Sequence, residues 1–491
     1  MVLLFFESIA WQWISLISMI VAYVFVVYLV IKTLLQNNNP ITTLSWIMVL
    51  ILIPFLGLAL YFLFGQKITK RWVFRRMRHK GLQQMNKISD LQLKSISNVD
   101  HIDNEYVHSY RKLMSLLLKD NSSFLSLNNH IQVFNSGSQL YKSILEDLEK
   151  AVSFIHIEYY LFEDGEVANS IKDVLIRKKK EGVEIIMILD GIGSRGLSNQ
   201  YIRDLRSHNI EVSLFRPVRF PNLTNKINNR NHRKIIVIDG EIGYTGGINI
   251  ADKYLVNYGE KGFWRDTHIR IIGDSIKMLE AVFLVDRYYL TNHIFKDLSP
   301  YFPRLDESEG ATVQVATNSP ESGTSNILNT FFTAITTAKT SIKLVSPYFI
   351  PDESLLMAIK LAAIGGIRVE LILPGVKDSA FIQNTARSYV QQLLKMGIDV
   401  YFYQKGFIHA KVLLIDDSFS MLGSANFDYR SFYQNFEINT LIYDRNINKE
   451  LSIQFEIDKA DSEQIHLAQW RKRSWKNKLF ESVARLLAPL M

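Results

Sequence analysis

Two stretches of this chain carry the same string of reactive side chains. The first holds His232, Lys234, Asp239, Gly246, Gly247 and Asn249, and the second His409, Lys411, Asp416, Gly423, Ser424 and Asn426. Both read H-x-K-x4-D-x6-G-[GS]-x-N. Such residues suit a phosphodiester, an anion with a poor alkoxide leaving group. One neutral imidazole attacks phosphorus, and a second, protonated, hands a proton to the departing oxygen. Histidine's ordinary pKa of about 6.5 lets both forms exist near neutrality. Lys234 and Lys411 supply positive charge for the non-bridging oxygens, and Asn249 and Asn426 can donate further hydrogen bonds. Asp239 and Asp416 complete the candidate catalytic set. They lie five residues beyond the lysines, so strand alternation puts them on the opposite face, where a turn or ion-pair role is at least as well motivated as phosphate contact. A single copy of the string is a modest signal. Two copies with identical gaps predict two histidines facing one another across a pseudo-dyad.

The elements that must hold these residues also repeat. Residues 235–238 and 412–415 are short apolar runs that read as buried strands. Residues 155–162 match 342–350, with Tyr160 aligned on Tyr348. A helical stretch (167–180; 354–363), a strand (183–191; 369–375), a second helical stretch (201–207; 386–395) and another strand (210–215; 398–403) follow in each copy. Strands alternating with helices predict α/β layers. His409 lies 177 residues after His232 (409 − 232), a domain-sized repeat. The polar stretch 307–323 marks the boundary between halves at 121–310 and 311–491. Residues 190–196 contain G-x-G-x-x-G, but the acidic residue that a dinucleotide site needs about 20 positions on, at the end of the next strand, is missing. A glycine turn bordering the cleft is the better reading.

With these motifs, the chain resembles the bacterial cardiolipin synthases of the phospholipase D superfamily. The stretches Ser346-Pro-Tyr-Phe-Ile-Pro-Asp352, Phe263-Trp-Arg-Asp-Thr-His268 and Asn229-Arg-Asn-His-Arg-Lys234 strengthen the likeness. The resemblance implies two α/β/α half-domains sharing one active-site cleft. It also implies acidic partners for the imidazoles downstream of each motif, where Asp266 follows His232 and Glu437 follows His409, with Ser424 as a further supporting residue. A metal-free mechanism with no cofactor is implied, and phosphatidylglycerol as substrate, giving cardiolipin and glycerol through a phosphatidyl-histidine. The resemblance favours His232 as nucleophile and His409 as general acid, while the residues themselves leave the roles open. A phospholipase D hydrolase producing phosphatidic acid, and less so a phosphodiesterase acting on nucleic acid, are the competing enzyme readings. A membrane-tethered binding module is the non-enzymatic one.

The 491 residues suffice for two α/β halves plus extensions, and the absence of cysteine excludes disulfides, thiolate nucleophiles and cysteine-ligated zinc. Residues 8–31 carry no charge, and 44–64 form a second apolar run. Each has the roughly 20 residues needed to cross a hydrocarbon layer. The expected arrangement is a transmembrane hairpin over 1–66, with spans at about 11–33 and 44–64, Pro54 as a potential kink, and Trp11, Trp13 and Tyr61 as interfacial anchors. A basic juxtamembrane linker over 67–120 follows, opening with Lys67, Lys70, Arg71, Arg75, Arg76, Arg78 and Lys80. By the positive-inside rule, this side and the catalytic region are cytoplasmic. The net charge of +8 fits anionic membrane lipids and nucleic acid equally, and the hairpin argues for the lipids as partners and against nucleic acid. Residues 216–221, which mix cations with an aromatic, read either as a headgroup or interface loop or as an ordinary surface loop. At the carboxyl end, Trp475, Leu479, Val483 and Leu487 share one face of a basic amphipathic helix that either lies on a bilayer or packs on the protein.

Overall fold

The computed structural model describes residues 2–35, 40–61, 105–121, 123–215, 229–255, 263–293, 295, 297–304, 309–320, 325–376 and 378–487. The chain divides into two compact units, 1–69 with 218–228, and 70–217 with 229–491. The basic residues 67–80 and the 216–221 loop lie outside the described residues, as do positions 36–39 of the turn between the apolar runs.

In the first unit the chain forms α1 (Val2–Leu35), α2 (Pro40–Leu52) and α3 (Pro54–Leu60). Within α1, Leu16–Leu35 is predominantly apolar, with Lys32 its one charge and a mean hydropathy of 2.3. At 1.5 Å per residue it is about 30 Å long, the thickness of a hydrocarbon core. Among the described residues it is the one helix long and apolar enough to cross a membrane. The second expected span is not a single helix. Proline lacks an N–H and pushes the preceding residue out of the α region. Ile53 accordingly sits at φ −138°, ψ 70°, between helices of 13 and 7 residues. Tyr61, expected as an interfacial anchor, is instead buried with Val26, Leu29 and Leu50. Its hydroxyl accepts a hydrogen bond from Thr33 Oγ1 (3.0 Å), and its ring meets Trp46 edge-on.

The second unit is built on one sheet of 15 strands. Its first half supplies β1 (Ser126–Phe134), β2 (Phe154–Tyr159), β3 (Glu184–Asp190), β4 (Glu211–Phe215), β5 (Lys234–Ile238), β6 (Ile242–Gly246), β7 (Phe263–Arg265) and β8 (His268–Gly273). The second half supplies β9 (Ala311–Asn318), β10 (Ser341–Val345), β11 (Phe349–Ile350), β12 (Arg368–Pro374), β13 (Asp399–Tyr403), β14 (Gly406–Ile408), β15 (Val412–Ile415), β16 (Phe419–Gly423), β17 (Phe427–Asp428), β18 (Glu437–Tyr443) and β19 (Ser462–Gln464). The sheet order is β19-β13-β12-β10-β15-β16-β18-β9-β1-β8-β6-β5-β2-β3-β4. Outward from the central β9–β1 pair, each half therefore follows one path. Strands β9, β18, β16, β15, β10, β12 and β13 correspond to β1, β8, β6, β5, β2, β3 and β4.

Helices cover both faces, which is why the central strands run almost continuously apolar. On one face α4 (Gly137–Lys150), α5 (Glu166–Lys180) and α6 (Asn199–Ser207) share a core with the first half. Their counterparts α7 (Asn326–Thr337), α8 (Glu353–Ile364) and α9 (Ala380–Lys395) do so with the second. On the other face, side chains from both halves merge into one core that includes Ile235, Ile271, Leu279, Val313, Leu414 and Phe455. This shared core and the paired β1 and β9 lock the two repeats into one body.

Candidate active site

Each motif histidine lies just ahead of its strand, where the two halves exchange backbone contacts. Strand β14, ending one residue before His409, pairs in parallel with β7, which ends one residue before Asp266. The pseudo-equivalent contact is a parallel bridge between Asn231 and Phe436, the residues before His232 and Glu437. His409 N donates to Arg265 O (2.6 Å), and His232 N to Phe436 O (2.9 Å).

This exchange crosses the acid partners. His232 Nδ1 lies 3.0 Å from both carboxylate oxygens of Glu437, and His409 Nδ1 lies 2.6 Å from Asp266 Oδ2. Each imidazole is thus held by an acid from the opposite half, and not by the acid downstream in its own repeat. With Nδ1 engaged, Nε2 of each ring is the nitrogen left for chemistry. The Gly247/Ser424 difference follows from the same geometry. Ser424 Oγ donates to Glu437, whereas any side chain at Gly247 would overlap the Asp266 carboxylate.

Both histidines line one cavity of about 330 Å³. Asn249 and Asn426 reach it from equivalent positions, as do Tyr160 and Tyr348. The Tyr160 ring stands edge-on to His232 at 4.8 Å. The repeat aligned these tyrosines in the sequence, but nothing there marked them as cavity walls. Trp264 was also without an assigned role, and it packs against His409 and Phe407. Lys234 Nζ donates to His232 O (2.8 Å), and Lys411 Nζ lies 2.7 Å from His409 Nδ1 and 3.6 Å from Asp266. Asp190, at the head of the glycine turn, accepts from Ile192 N and Gly193 N and also from Asn231 N (3.0 Å). That turn therefore positions the residue before His232. Among the described residues no group of three or more His, Cys, Asp or Glu is placed to hold a metal ion.

The surroundings of the two histidines differ beneath the motif. Asn231 donates to the buried Glu158, and Arg233 pairs with the buried Asp286. Burial and the nearby Asp286 push the Glu158 carboxyl well up. The equivalent positions in the second half, Ile408 and Ala410, belong to the apolar shared core.

Asp239 and Asp416 do not reach the cavity, which corrects their inclusion among the catalytic candidates. Both adopt positive φ (54° and 53°) at the strand end. Asp239 accepts backbone hydrogen bonds from Val152 N (2.9 Å), Ser153 N (2.7 Å) and Phe154 N (2.8 Å). Asp416 does the same for Lys339, Thr340 and Ser341. Each clamps the entry to the neighbouring strand, β2 or β10. Asp239→Ala is expected to cost about 1–3 kcal/mol of stability, the usual penalty for stranding such donors. Thermal unfolding would show that loss, while turnover per folded molecule stays near wild type. A stable variant with abolished turnover would return Asp239 to the chemistry.

Burial sets the charge states. It pushes His232 down to about 4, against the raising effect of Glu437. Burial and the Lys411 charge push His409 down to about 3, against Asp266. Desolvation also lowers Lys234 to about 7, helped by Lys411, and Lys411 to about 8. Burial alone would raise Glu437, but the charges of His232 and Lys234 hold it at about 2. Before substrate enters, both imidazoles are neutral at pH 7 and both acids are ionised. The arrangement offers two neutral imidazoles on one cavity, each beside a carboxylate able to stabilise its protonated form, and two lysines.

The chain matches the family described as cardiolipin synthase, PLD-like domain, over residues 144–283 and 331–459. Residues 21–66 match phospholipase D-nuclease N-terminal. It is 36% identical over 464 residues to cardiolipin synthase 2 of Bacillus anthracis, covering 93% of this chain and 88% of that one. A cardiolipin synthase of Geobacillus thermodenitrificans is 37% identical over 475 residues, covering 95% and 92%. Among solved structures, phosphatidylserine synthase of Haemophilus influenzae superposes with a TM-score of 0.59 at 15% identity, over 79% of this chain and 100% of that one. That last likeness concerns the fold alone.

Proposed function

Because the chain belongs to the cardiolipin synthase family of the phospholipase D superfamily, we propose that His232 and His409 carry out a two-step phosphatidyl transfer between two phosphatidylglycerol molecules. The protein is an enzyme of cardiolipin synthesis, a phosphatidyltransferase. In step one, His409 takes up a proton from solvent as the phosphate anion enters beside it, His232 Nε2 attacks the phosphorus of the first lipid, and His409 gives that proton to the departing glycerol oxygen. A phosphatidyl-histidine and free glycerol result. In step two, His409, now neutral, takes the proton from a hydroxyl of the second lipid. That oxygen displaces His232 and forms cardiolipin. The bonds broken and made are both phosphodiesters, so no nucleotide is needed to drive the exchange.

The observation that carries this reading is the pair of imidazoles on one cavity, each with Nδ1 held by a buried carboxylate. Such a carboxylate fixes the tautomer and stabilises the imidazolium as it forms. Lys234, Lys411, Asn249 and Asn426 stabilise phosphate charge, with Ser424 steadying Glu437. In this reading the chain comprises a membrane segment over 1–66, a basic linker over 67–120 whose end forms the helix Glu105–Asn121 packed into the second half's core, and catalytic halves at 121–310 and 311–491. The packing of α1 with α2 and α3 supports a hairpin whose kinked second arm also crosses the bilayer. The basic flank supports a cytoplasmic catalytic region. Single cysteines near residues 38 and 80 probed with an impermeant thiol reagent in intact cells test this. Labelling at 38 and protection at 80 is expected, and the reverse pattern overturns it.

Purified enzyme given headgroup-labelled phosphatidylglycerol should release labelled glycerol and form cardiolipin in equal amounts. Phosphatidic acid as the main product would favour hydrolysis instead. The site also predicts an alkaline limit. Raising the pH strips protons from Lys234 near 7 and Lys411 near 8, removing the cations assigned to the phosphate charge. The pH profile of kcat/KM should therefore fall between about 7 and 8. A profile flat to about 10.4, the ordinary lysine value, would contradict it.

A further inference from the structure

The carboxyl-terminal helix α10 (Trp475–Leu487) is packed on the protein by the wrong face for a soluble helix. It lies against α9 through Glu481 and Ala484, which are 3% and 1% exposed. Glu481 is held there between two arginines, Arg473 and Arg387, the latter at 3.7 Å. Both guanidinium groups stack on Trp470, at 3.6 and 4.9 Å. The opposite face carries Trp475, Leu479, Phe480, Val483 and Leu486, all 45–78% exposed. An amphipathic helix ordinarily turns its apolar stripe inward. Here a buried, doubly paired carboxylate latches the helix with that stripe outward.

We propose that this face docks on an anionic lipid surface, as a second membrane contact apart from the amino-terminal helix. Residues 471–487 contain six basic residues and one acidic one, and the acid is Glu481, already neutralised by the latch. The cations beside the apolar stripe, including Arg471, Lys472 and Lys476, match anionic headgroups while the indole and aliphatic side chains enter the acyl boundary. A second copy of this chain is a poorer occupant, because a two-fold interface would set the same cations against one another. The consequence for catalysis is positional. Ile382, one and a half turns before Arg387 on α9, lines the active-site cavity. Lipid contact at α10 would thus steady the bilayer about 8 Å along α9 from that wall.

The test needs no turnover and does not rest on the roles given to the histidines. The chain has no cysteine, so Leu479→Cys, Val483→Cys and Asn477→Cys can each carry one environment-sensitive fluorophore in the full-length protein. Each is reconstituted into phosphatidylglycerol vesicles whose acyl chains bear a quencher, with retained activity as the check on folding. Loss of emission at 479 and 483 but not at 477, stronger than in phosphatidylcholine vesicles, is expected. No loss at 479 and 483, or equal loss in both lipids, overturns the proposal. So does intermolecular disulfide formation by unlabelled Leu479→Cys without quencher contact, which would assign the face to a second copy.

Discussion

Replacing His232 by alanine lowers cardiolipin formation by at least about 10⁴-fold, the scale seen when a covalent nucleophile is deleted from an enzyme that works through it. The substitution removes the imidazole that Glu437 holds at the cavity. It also leaves a buried carboxylate without its main partner, so folding needs a separate control. His232→Gln supplies it, because an amide can still donate to Glu437 but cannot attack phosphorus. Both variants should lose transfer, and the glutamine variant should unfold at nearly the wild-type temperature. Near wild-type synthesis by a folded His232→Gln enzyme would remove the two-histidine scheme.

The second large effect separates the two halves of the site. Glu437→Gln and Asp266→Asn should each slow transfer by roughly 10³–10⁴-fold, as loss of the orienting carboxylate does in a serine-protease triad. They should respond differently to a substrate whose leaving group needs no proton, such as a phosphatidyl nitrophenol. In the proposed scheme His409 and its partner Asp266 serve the leaving group, so His409→Ala and Asp266→Asn should regain the burst of nitrophenol release. His232→Ala and Glu437→Gln should not. If Asp266→Asn instead behaves like His232→Ala, the acid partners act within their own repeats and the crossed pairing is not functional.

That crossing was the least legible feature of the sequence. Asp266 and Glu437 stand out as acids at a suitable distance downstream, but spacing cannot tell partners within a repeat from partners across it. The choice is made by the β7–β14 pairing and the Asn231–Phe436 bridge, contacts between segments more than 140 residues apart. The order of strands and helices was readable because strands covered on both faces must be apolar along their whole length. The lysines and asparagines of the motifs were readable because phosphate chemistry demands such groups. Asp239 and Asp416 show the limit of a motif. Alternation argued that they point away from the histidines, and the structure gives the reason they recur: each clamps three backbone N–H groups at a tight turn. Hydropathy likewise recognised the second apolar run by composition. The run's division at Ile53 comes from the geometry of Pro54, which a composition window averages away.

The proposed transfer passes a phosphatidyl group through His232. Mixing enzyme with phosphatidylglycerol labelled at phosphorus, quenching in neutral denaturing detergent within a single turnover, and mapping the label on peptides tests this most directly. Label is expected on the peptide containing His232, appearing before cardiolipin and decaying as cardiolipin forms. Label on the His409 peptide, or full turnover with no protein-bound phosphatidyl group at any time, would contradict it.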